Sequence, residues 1–390
     1  MEFLPFFLIL FAAVFFSEVF ERLHLPWVVA LILGGVAIGP FGFGWVTVDD
    51  TVHFFGQIGL VFLMFMAGLE TRFSEFRQAR SKLITMGVLN AGIPFLAGMA
   101  VALAFGMSLP AAFLLGIIFI SSAIAVVIPS LEANNLLVTR PGKIVTPVTV
   151  FEDIFSLILL AVFLQVTLPE SGILTLPVWM FLTLFVLSVI VLRLLVSKMR
   201  WFISLGDDER GTGREAHDFR VVLTILLGSV VVFSVLGLHP IVGGFFAGLI
   251  LSDTITRPVM KERFKVVGYG IFIPVFFIIV GAQTDISVFF QLGAVLALTG
   301  AVVGASMATK FLSGFFAGRI IGFSVWESSL IGVATLPQLS ITLAVAFMGV
   351  ELGIIPEDLA VALVVLTVIT TLIAPILIRW IGRKLDVTVV

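Results

Sequence analysis

Residues 144–168 read IVTPVTVFEDIFSLILLAVFLQVTL, and the only charged residues in this stretch are Glu152 and Asp153. About 20 predominantly apolar residues are enough for a helix to cross a bilayer. Charged side chains are costly at the depth where these two acids lie, so such residues usually pair with one another or line a water-filled path. The stretch therefore predicts a transmembrane helix that carries a functional site.

The composition of the whole chain supports a membrane protein. Of 390 residues, 60% are hydrophobic and 12% are charged, with 40 Phe and a mean hydropathy of +1.23. A soluble domain usually carries about 25% charged residues. The absence of Cys excludes disulfides, thiolate catalysis and Cys-ligated metals. The net charge of -2 is uninformative about nucleic acid, but the absence of a basic cluster outside the short loops argues against nucleic-acid binding.

The apolar runs predict an all-α polytopic protein with 13 transmembrane helices. We interpret residues 1–390 as a single membrane transport domain with no soluble domain, and residues 3–20 as a retained first span because no basic region or cleavage site accompanies them. The ninth segment is short, and merging it with the eighth across His239 and Pro240 would give twelve segments. Spans interrupted by Gly or Pro are counted as single segments. The predicted segments are 3–20, 25–44, 54–70, 83–106, 109–131, 144–168, 174–196, 219–237, 239–252, 266–283, 288–318, 325–350 and 358–379.

The basic residues predict the orientation of these segments. With the N-terminus outside, 21 of the 22 Lys and Arg fall in inner connections, and the outer connections carry only acids. Cytoplasmic loops carry an excess of Lys and Arg, so the pattern predicts an outside N-terminus and a cytoplasmic C-terminus. Merging segments eight and nine would place later basic loops outside, which favours thirteen segments over twelve.

The one basic residue outside the loops is Lys310, in the eleventh segment. Asp153 lies ten residues from Lys143, and Lys310 lies nine residues from Arg319. At 1.5 Å per residue, both sites are about 14–15 Å from the inner ends of their helices, near the middle of a core about 30 Å thick. We expect Glu152 to pair with Lys310, whereas Asp153 remains available to an ion.

Two further segments are predicted to break at the same depth. A Pro removes one helical hydrogen bond, and the freed backbone groups and hydroxyls can solvate an ion. Serines precede Pro129 in the fifth segment, and Pro337 interrupts the twelfth. The predicted neighbours of the ion site at these breaks are Ser121, Ser122, Thr335, Pro337 and Gln338, of which Ser122, Thr335 and Gln338 have helix-to-helix hydrogen bonding as the alternative role.

The order of the segments indicates an internal repeat. Segments two to six and nine to thirteen are each five long, and the broken segment is the fourth in each. Because the two groups enter the membrane from opposite sides, the repeats would be inverted, which fits a transporter with its site at the midplane.

At the level of residues, the chain resembles the monovalent cation:proton antiporter superfamily, in the branch with Kef-type and NapA-type membrane domains. The matching stretches are Ser121–Ala125 (SSAIA), Asn135–Thr139 (NLLVT), Phe151–Ile154 (FEDI) and Gly68–Glu70 (GLE). Lys310 fits the lysine of electrogenic sodium/proton members. Glu152 departs from the pattern, because relatives have Asp, Asn or Gln there.

The resemblance implies two crossed discontinuous helices, a homodimer with a dimerisation domain and a mobile core, and a prokaryotic inner (cell) membrane. It also implies that Asp153 is the shared site at which Na+ or K+ competes with protons. Glu152 would be a second ionisable group and Lys310 would compensate charge, with electrogenic exchange as the favoured stoichiometry. No cofactor, no catalytic residue and no metal beyond the transported ion is expected.

Two other classes of function stay open at this point. A cation channel would need a ring of carbonyls or acids from several subunits. An ion-coupled organic anion transporter on a similar fold would need basic residues or helix N-termini aimed at a carboxylate. The sequence contains no zinc, serine-histidine or paired-aspartate protease pattern within the segments, so an enzyme is not expected.

Overall fold

The computed structural model of the chain describes residues 4–22, 27–70, 80–167, 177–199, 212–252, 258–285 and 293–385. These residues form helices joined by turns and irregular connections, and no strand occurs among them. The prediction of an all-α protein is confirmed for this part of the chain. Long apolar runs favour helices here because every backbone N–H and C=O of a helix is satisfied within its own segment.

Sixteen α-helices lie in the described residues, with a π-helical turn, Gly268–Phe272, between α11 and α12. The helices are α1 (Leu4–Arg22), α2 (Trp27–Ile38), α3 (Asp50–Glu70), α4 (Arg80–Ala104), α5 (Leu109–Ile120), α6 (Ile124–Glu132), α7 (Gly142–Thr167), α8 (Val178–Met199), α9 (Thr212–Val235), α10 (Pro240–Ser252), α11 (Pro258–Val267), α12 (Ile273–Ala282), α13 (Ala294–Ile321), α14 (Val325–Ala334), α15 (Ser340–Glu351) and α16 (Glu357–Gly382).

Nine helical stretches in the described residues are long and apolar enough to cross a membrane. Several leave a broad apolar face uncovered: only 17% of the apolar window of Trp179–Val196 is buried, and Leu187, Ile190 and Leu194 are exposed there. An exposed apolar surface of this kind is expected to face lipid or a partner. The chain is therefore an integral membrane protein.

At three places in the described residues a helix bound differs from the predicted segment bound by six residues or more; one is the eighth segment, predicted from 219, where α9 begins at Thr212. The second segment was predicted to reach residue 44, but α2 ends at Ile38, where the N–H of Phe43 donates to the carbonyl of Ala37 (2.7 Å) and closes a turn. Gly44 follows with φ +67°, a left-handed conformation that Gly adopts without strain. The tenth segment was predicted from 266, but α11 begins at Pro258, because its charged first turns conceal the helix from a hydropathy count. The predicted starts at residues 3, 25, 174 and 288 lie outside the described residues.

The chain divides into two compact units. The first comprises Met1–Val48, Ser74–Leu160 and Ile278–Val390, and the second comprises Asp49–Phe73 and Ala161–Phe277. The chain passes between the units within α7 and again within α12. All residues of the predicted ion site belong to the first unit.

In the first unit, α2 packs against the end of α12 through two glycines. A Cβ placed on Gly35 would collide with the carbonyl oxygen of Ile278, and one on Gly281 would collide with that of Ile32. Each glycine thus touches the other helix's backbone, a contact that small residues allow between membrane helices.

The second unit contains a crossing of the same kind between α3 and α10. A Cβ on Gly68 would collide with the carbonyl oxygen of Phe245, and one on Gly248 with that of Phe65. The reciprocal pattern is the one seen between α2 and α12.

Candidate functional site

The fifth predicted segment is broken at its serines. α5 ends at Ile120, residues Ser121 and Ala123 have extended backbone angles (φ -64°, ψ 150° and φ -88°, ψ 93°), and α6 begins at Ile124. The last carbonyls of α5 and the first N–H groups of α6 have no partners within their own helices. The break therefore exposes polar backbone groups among buried side chains.

The twelfth predicted segment is broken in the same way around Pro337. α14 ends at Ala334 and α15 begins at Ser340. Pro337 has no N–H to donate, which removes one helical hydrogen bond at this point. The first break falls at Ser121 and Ser122, whereas Pro129 lies inside α6, and the second falls at Pro337.

The two breaks contact one another directly. The N–H of Ala123 donates to the carbonyl of Pro337 (2.6 Å), and the hydroxyl of Ser122 lies 2.9 Å from the carbonyl of Thr335, close enough to donate to it. These bonds satisfy backbone groups that have no partner within their own helices, and they stabilise the crossing of the two broken segments. The ends of four short helices, α5, α6, α14 and α15, meet at this place.

Lys310, on α13, reaches the crossing with its ammonium group. Its Nζ donates to Glu152 Oε2 (2.7 Å), to the hydroxyl of Ser122 (2.9 Å) and to the carbonyl oxygen of Ile120. The last contact lies at the C-terminal end of α5, where the helix dipole favours a positive charge. The side chains of Lys310 and Glu152 are fully buried, so they form an ion pair shielded from solvent.

Glu152, on α7, is held by donors on both carboxylate oxygens. Oε2 accepts from Lys310 and lies 2.6 Å from the Ser122 hydroxyl, and Oε1 accepts from the side-chain amide of Asn90 on α4. A buried charge needs an opposite charge and hydrogen bonds on its remaining lone pairs. Glu152 has both, so its charge is compensated.

Asp153 is the next residue along α7 and points elsewhere, because successive side chains of a helix are about 100° apart. Its Oδ1 accepts from the hydroxyl of Ser121 at 3.0 Å, and 3% of the residue is exposed. Within the described part of the chain, no Lys, Arg or His forms an ion pair with Asp153. The carboxylate of Asp153 is therefore buried without a cationic partner at ion-pair distance.

The other predicted neighbours have structural partners rather than contacts with the acids. The hydroxyl of Thr335 lies 3.1 Å from the carbonyl of Gly332. The amide nitrogen of Gln338 donates to Ser306 (3.0 Å) and to the carbonyl of Phe119 (3.4 Å). Gln338 thus joins the start of α15 to α13 and α5, and supports the crossing from outside the acidic pair.

Three polar residues at the crossing were not predicted from the sequence: Asn90, Ser306 and Ser313, all buried. Each is a small polar residue on a largely apolar helix, a pattern that is also common at simple helix contacts. Asn90 had one usable signal, since it is the one Asn in the fourth predicted segment.

The described residues contain no group of three or more His, Cys, Asp or Glu that could hold a metal ion. The crossing instead brings two carboxylates and one ammonium together. When all three are ionised, one negative charge is left over, and a monovalent cation or a proton neutralises it. Polar backbone and hydroxyl groups at broken helices are suited to solvate such an ion.

Comparison with known proteins agrees with this chemistry. The sequence profile of the family described as "Sodium/hydrogen exchanger, transmembrane" matches residues 6–384. The protein named "Probable Na(+)/H(+) antiporter 3" of Methanocaldococcus jannaschii is 32% identical over 380 residues, covering 96% of this chain and 95% of the relative. The Na(+)/H(+)-K(+) antiporter GerN of Bacillus cereus is 27% identical over 386 residues, covering 97% of each chain.

A solved structure resembles the fold. The sodium proton antiporter MjNhaP1 from Methanocaldococcus jannaschii, solved at pH 8, has a TM-score of 0.67 over 97% of both chains, with 18% sequence identity. At this identity the likeness concerns the fold alone. Together, the profile match along almost the entire sequence and the 32% identical relative show that this chain belongs to the transmembrane sodium/hydrogen exchanger family.

Proposed function

We propose that this membrane protein is a secondary active antiporter that exchanges Na+ or K+ for protons, with Asp153 as the shared binding site. The observation that carries the proposal is the uncompensated carboxylate. Asp153 lies in the interior of a long apolar helix with a serine hydroxyl on Oδ1, while the neighbouring Glu152 is neutralised by Lys310. Intramembrane ionisable groups of this kind mark ion and proton paths.

Exchange follows from competition for that carboxylate. A proton on Asp153 removes the charge that attracts the cation, and a bound cation occupies the position that the proton needs. If the site opens to one side at a time and changes sides only when occupied, each cation that crosses in one direction is matched by protons that cross in the other. The relatives' names, which include Na+ and in one case K+, support these two cations as substrates.

We also propose thirteen spans arranged as inverted repeats. Nine candidate spans among the described residues, the short apolar helices α1, α2 and α10, and the broken pair α14–α15 together support that number. The glycine crossings support the repeat: 213 residues separate Gly35 from Gly248, and the same number separates Gly68 from Gly281. The crossing of α2 with α12 and that of α10 with α3 therefore use equivalent positions.

The placement in the cell rests on the distribution of charge and on the family. We propose a homodimer in a prokaryotic inner membrane, with the N-terminus outside and the C-terminus in the cytoplasm. The basic residues of the predicted inner connections support the orientation.

The alternative functions fit the site less well. A channel filter needs several like groups arranged around a pore, whereas this site has one uncompensated carboxylate. A transporter of organic anions needs surplus positive charge, whereas among the described residues the one ammonium at the crossing is paired with Glu152.

The proposal is tested with purified protein in liposomes that contain a pH-sensitive dye. An imposed Na+ or K+ gradient is expected to move protons in the opposite direction, and choline is expected to have no effect. Parallel single-channel recordings are expected to show no conductance. The proposal would be overturned if proton movement did not depend on the Na+ or K+ gradient. A measurable single-channel conductance would also overturn it.

A further inference from the structure

Asn90 lies in the middle of α4, where it touches the acidic pair. The residue is 1% exposed, and its Nδ2 donates to Oε1 of Glu152, the oxygen that does not face Lys310. Glu152 is thus held from two sides, by an ammonium on one oxygen and by an amide on the other. A hydrogen bond to a charged group is among the stronger ones in proteins.

Gly87, one turn before Asn90, lies against α7. A Cβ on Gly87 would collide with the ring of Phe151, the residue that precedes Glu152. A larger residue at this position would have to displace the Phe151 ring or shift α4 itself.

Ser313 holds the Asn90 amide at the end that faces away from Glu152. Ser313 is fully buried on α13, three residues after Lys310, and its hydroxyl donates to Oδ1 of Asn90. The carboxylate of Glu152 only accepts hydrogen bonds, so it takes the NH2 end of the amide, and Ser313 donates to the Oδ1 end. The carbonyl of Lys310 is a second acceptor for Ser313 at 3.1 Å, so the hydroxyl has an alternative when Asn90 is absent.

From this geometry we propose that Asn90 and Ser313 are positioning residues for ion exchange, and that they keep Lys310 on Glu152 and away from Asp153. The proposal rests on the proposed function of Asp153. Without the Asn90 donor, the carboxylate of Glu152 is less firmly held and the Lys310 ammonium is shared between the two acids. A positive charge nearer to Asp153 opposes the binding of Na+.

The test is the dependence of exchange rate on Na+ concentration in proteoliposomes. Asn90→Leu is expected to raise the apparent KM for Na+ about tenfold with little change in kcat, from the usual strength of a charged hydrogen bond. Ser313→Ala is expected to raise the KM about threefold, because the amide then loses the bond that holds its Oδ1 end. Ser313→Thr keeps the hydroxyl and is expected to restore the wild-type KM.

The double variant Asn90→Leu/Ser313→Ala separates this arrangement from independent effects. Ser313 acts through Asn90, so the double variant is expected to have the KM of Asn90→Leu alone, whereas independent sites would give the product of the two changes. Ser229→Ala is the matched control, since Ser229 is a buried serine on α9 whose hydroxyl bonds to the carbonyl of Ile225 in the same helix.

The outcomes distinguish this inference from the proposed function. If the wild type exchanges Na+ for protons and Asn90→Leu or Ser313→Ala keeps the wild-type KM, the inference is wrong and the function stands. The inference is also contradicted if the KM change of the double variant equals the product of the two single changes. A loss of kcat with an unchanged KM contradicts it as well. If Asn90→Leu fails to fold, the comparison of Ser313→Ala with Ser313→Thr and Ser229→Ala still decides. A wild type without exchange overturns the proposed function itself.

Discussion

The contribution of the buried ion pair between Glu152 and Lys310 can be measured by substituting each partner separately and then both together. Lys310→Met removes the ammonium and keeps a side chain of similar length, and Glu152→Gln removes the carboxylate charge and keeps its shape. The N–O distance of 2.7 Å and the complete burial of both side chains mean that neither charge has water as a substitute partner. Each single substitution therefore leaves one member of the pair buried without the other, whereas the double substitution removes both and leaves only the charge of Asp153, as in the wild type.

The expected magnitudes follow from this difference. Removing one partner of a buried pair costs about 3–5 kcal/mol, while replacing both partners together is often close to neutral. At about 2 °C per kcal/mol for larger domains, each single variant should lower the unfolding midpoint by about 6–10 °C. The double variant should lie within about 2 °C of the wild type.

The assay is thermal unfolding of the purified protein in detergent, at one heating rate for all four proteins because membrane proteins often unfold irreversibly. Exchange activity is measured alongside in liposomes. If the double variant is destabilised by the sum of the two single changes, Glu152 and Lys310 are not energetically coupled and our account of the charge balance at the crossing is wrong.

Three further predictions concern charge movement, packing and topology. In proteoliposomes with a valinomycin-clamped potential, the rate of wild-type exchange should change with the sign of the potential, and Glu152→Gln should weaken that response. If the wild-type rate did not depend on the potential, the pair of Glu152 and Lys310 would have a structural role only. Gly332→Ala should destabilise the protein by about 1–3 kcal/mol, because the added Cβ would lie 2.5 Å from the carbonyl oxygen of Phe311. Gly228→Ala, which meets nothing within 4 Å, should be neutral or stabilising in the same thermal assay, and equal effects of the two would contradict the packing argument. Single cysteines at positions 49, 170 and 285 should react from outside, and those at 77, 214 and 261 only after permeabilisation; outside labelling at 214 would refute the orientation.

Much of the candidate site was predictable because the rules that govern membrane interiors are strict. Charged residues deep in apolar runs are rare, so Glu152, Asp153 and Lys310 stood out without any structure. Helix breaks also have local causes, and Pro337 with the serines at 121 and 122 marked both breaks. The rise per residue of a helix then predicted that these charged residues and the two breaks lie at a similar depth in the membrane.

The remaining contacts depend on which helices are neighbours, which a single sequence does not reveal. The amide of Asn90 could bond to any adjacent helix, and the contact of Gly87 with the ring of Phe151 is visible only once α4 and α7 are placed. Gln338 was expected near the ion, yet its bonds lead to Ser306 and Phe119. Hydropathy likewise missed the charged start of α11, since the helix begins before the apolar run does.

The central claim is that a proton and a cation compete for the carboxylate of Asp153. Its most direct test is cation-driven proton movement by Asp153→Asn beside the wild type across a range of pH, with Asp218→Asn as the control for loss of a buried carboxylate in the other unit. We predict that Asp153→Asn folds but exchanges nothing at any pH, because an amide neither takes up a proton nor offers a charge to the cation, and that Asp218→Asn retains exchange. Substantial exchange by Asp153→Asn would contradict the account.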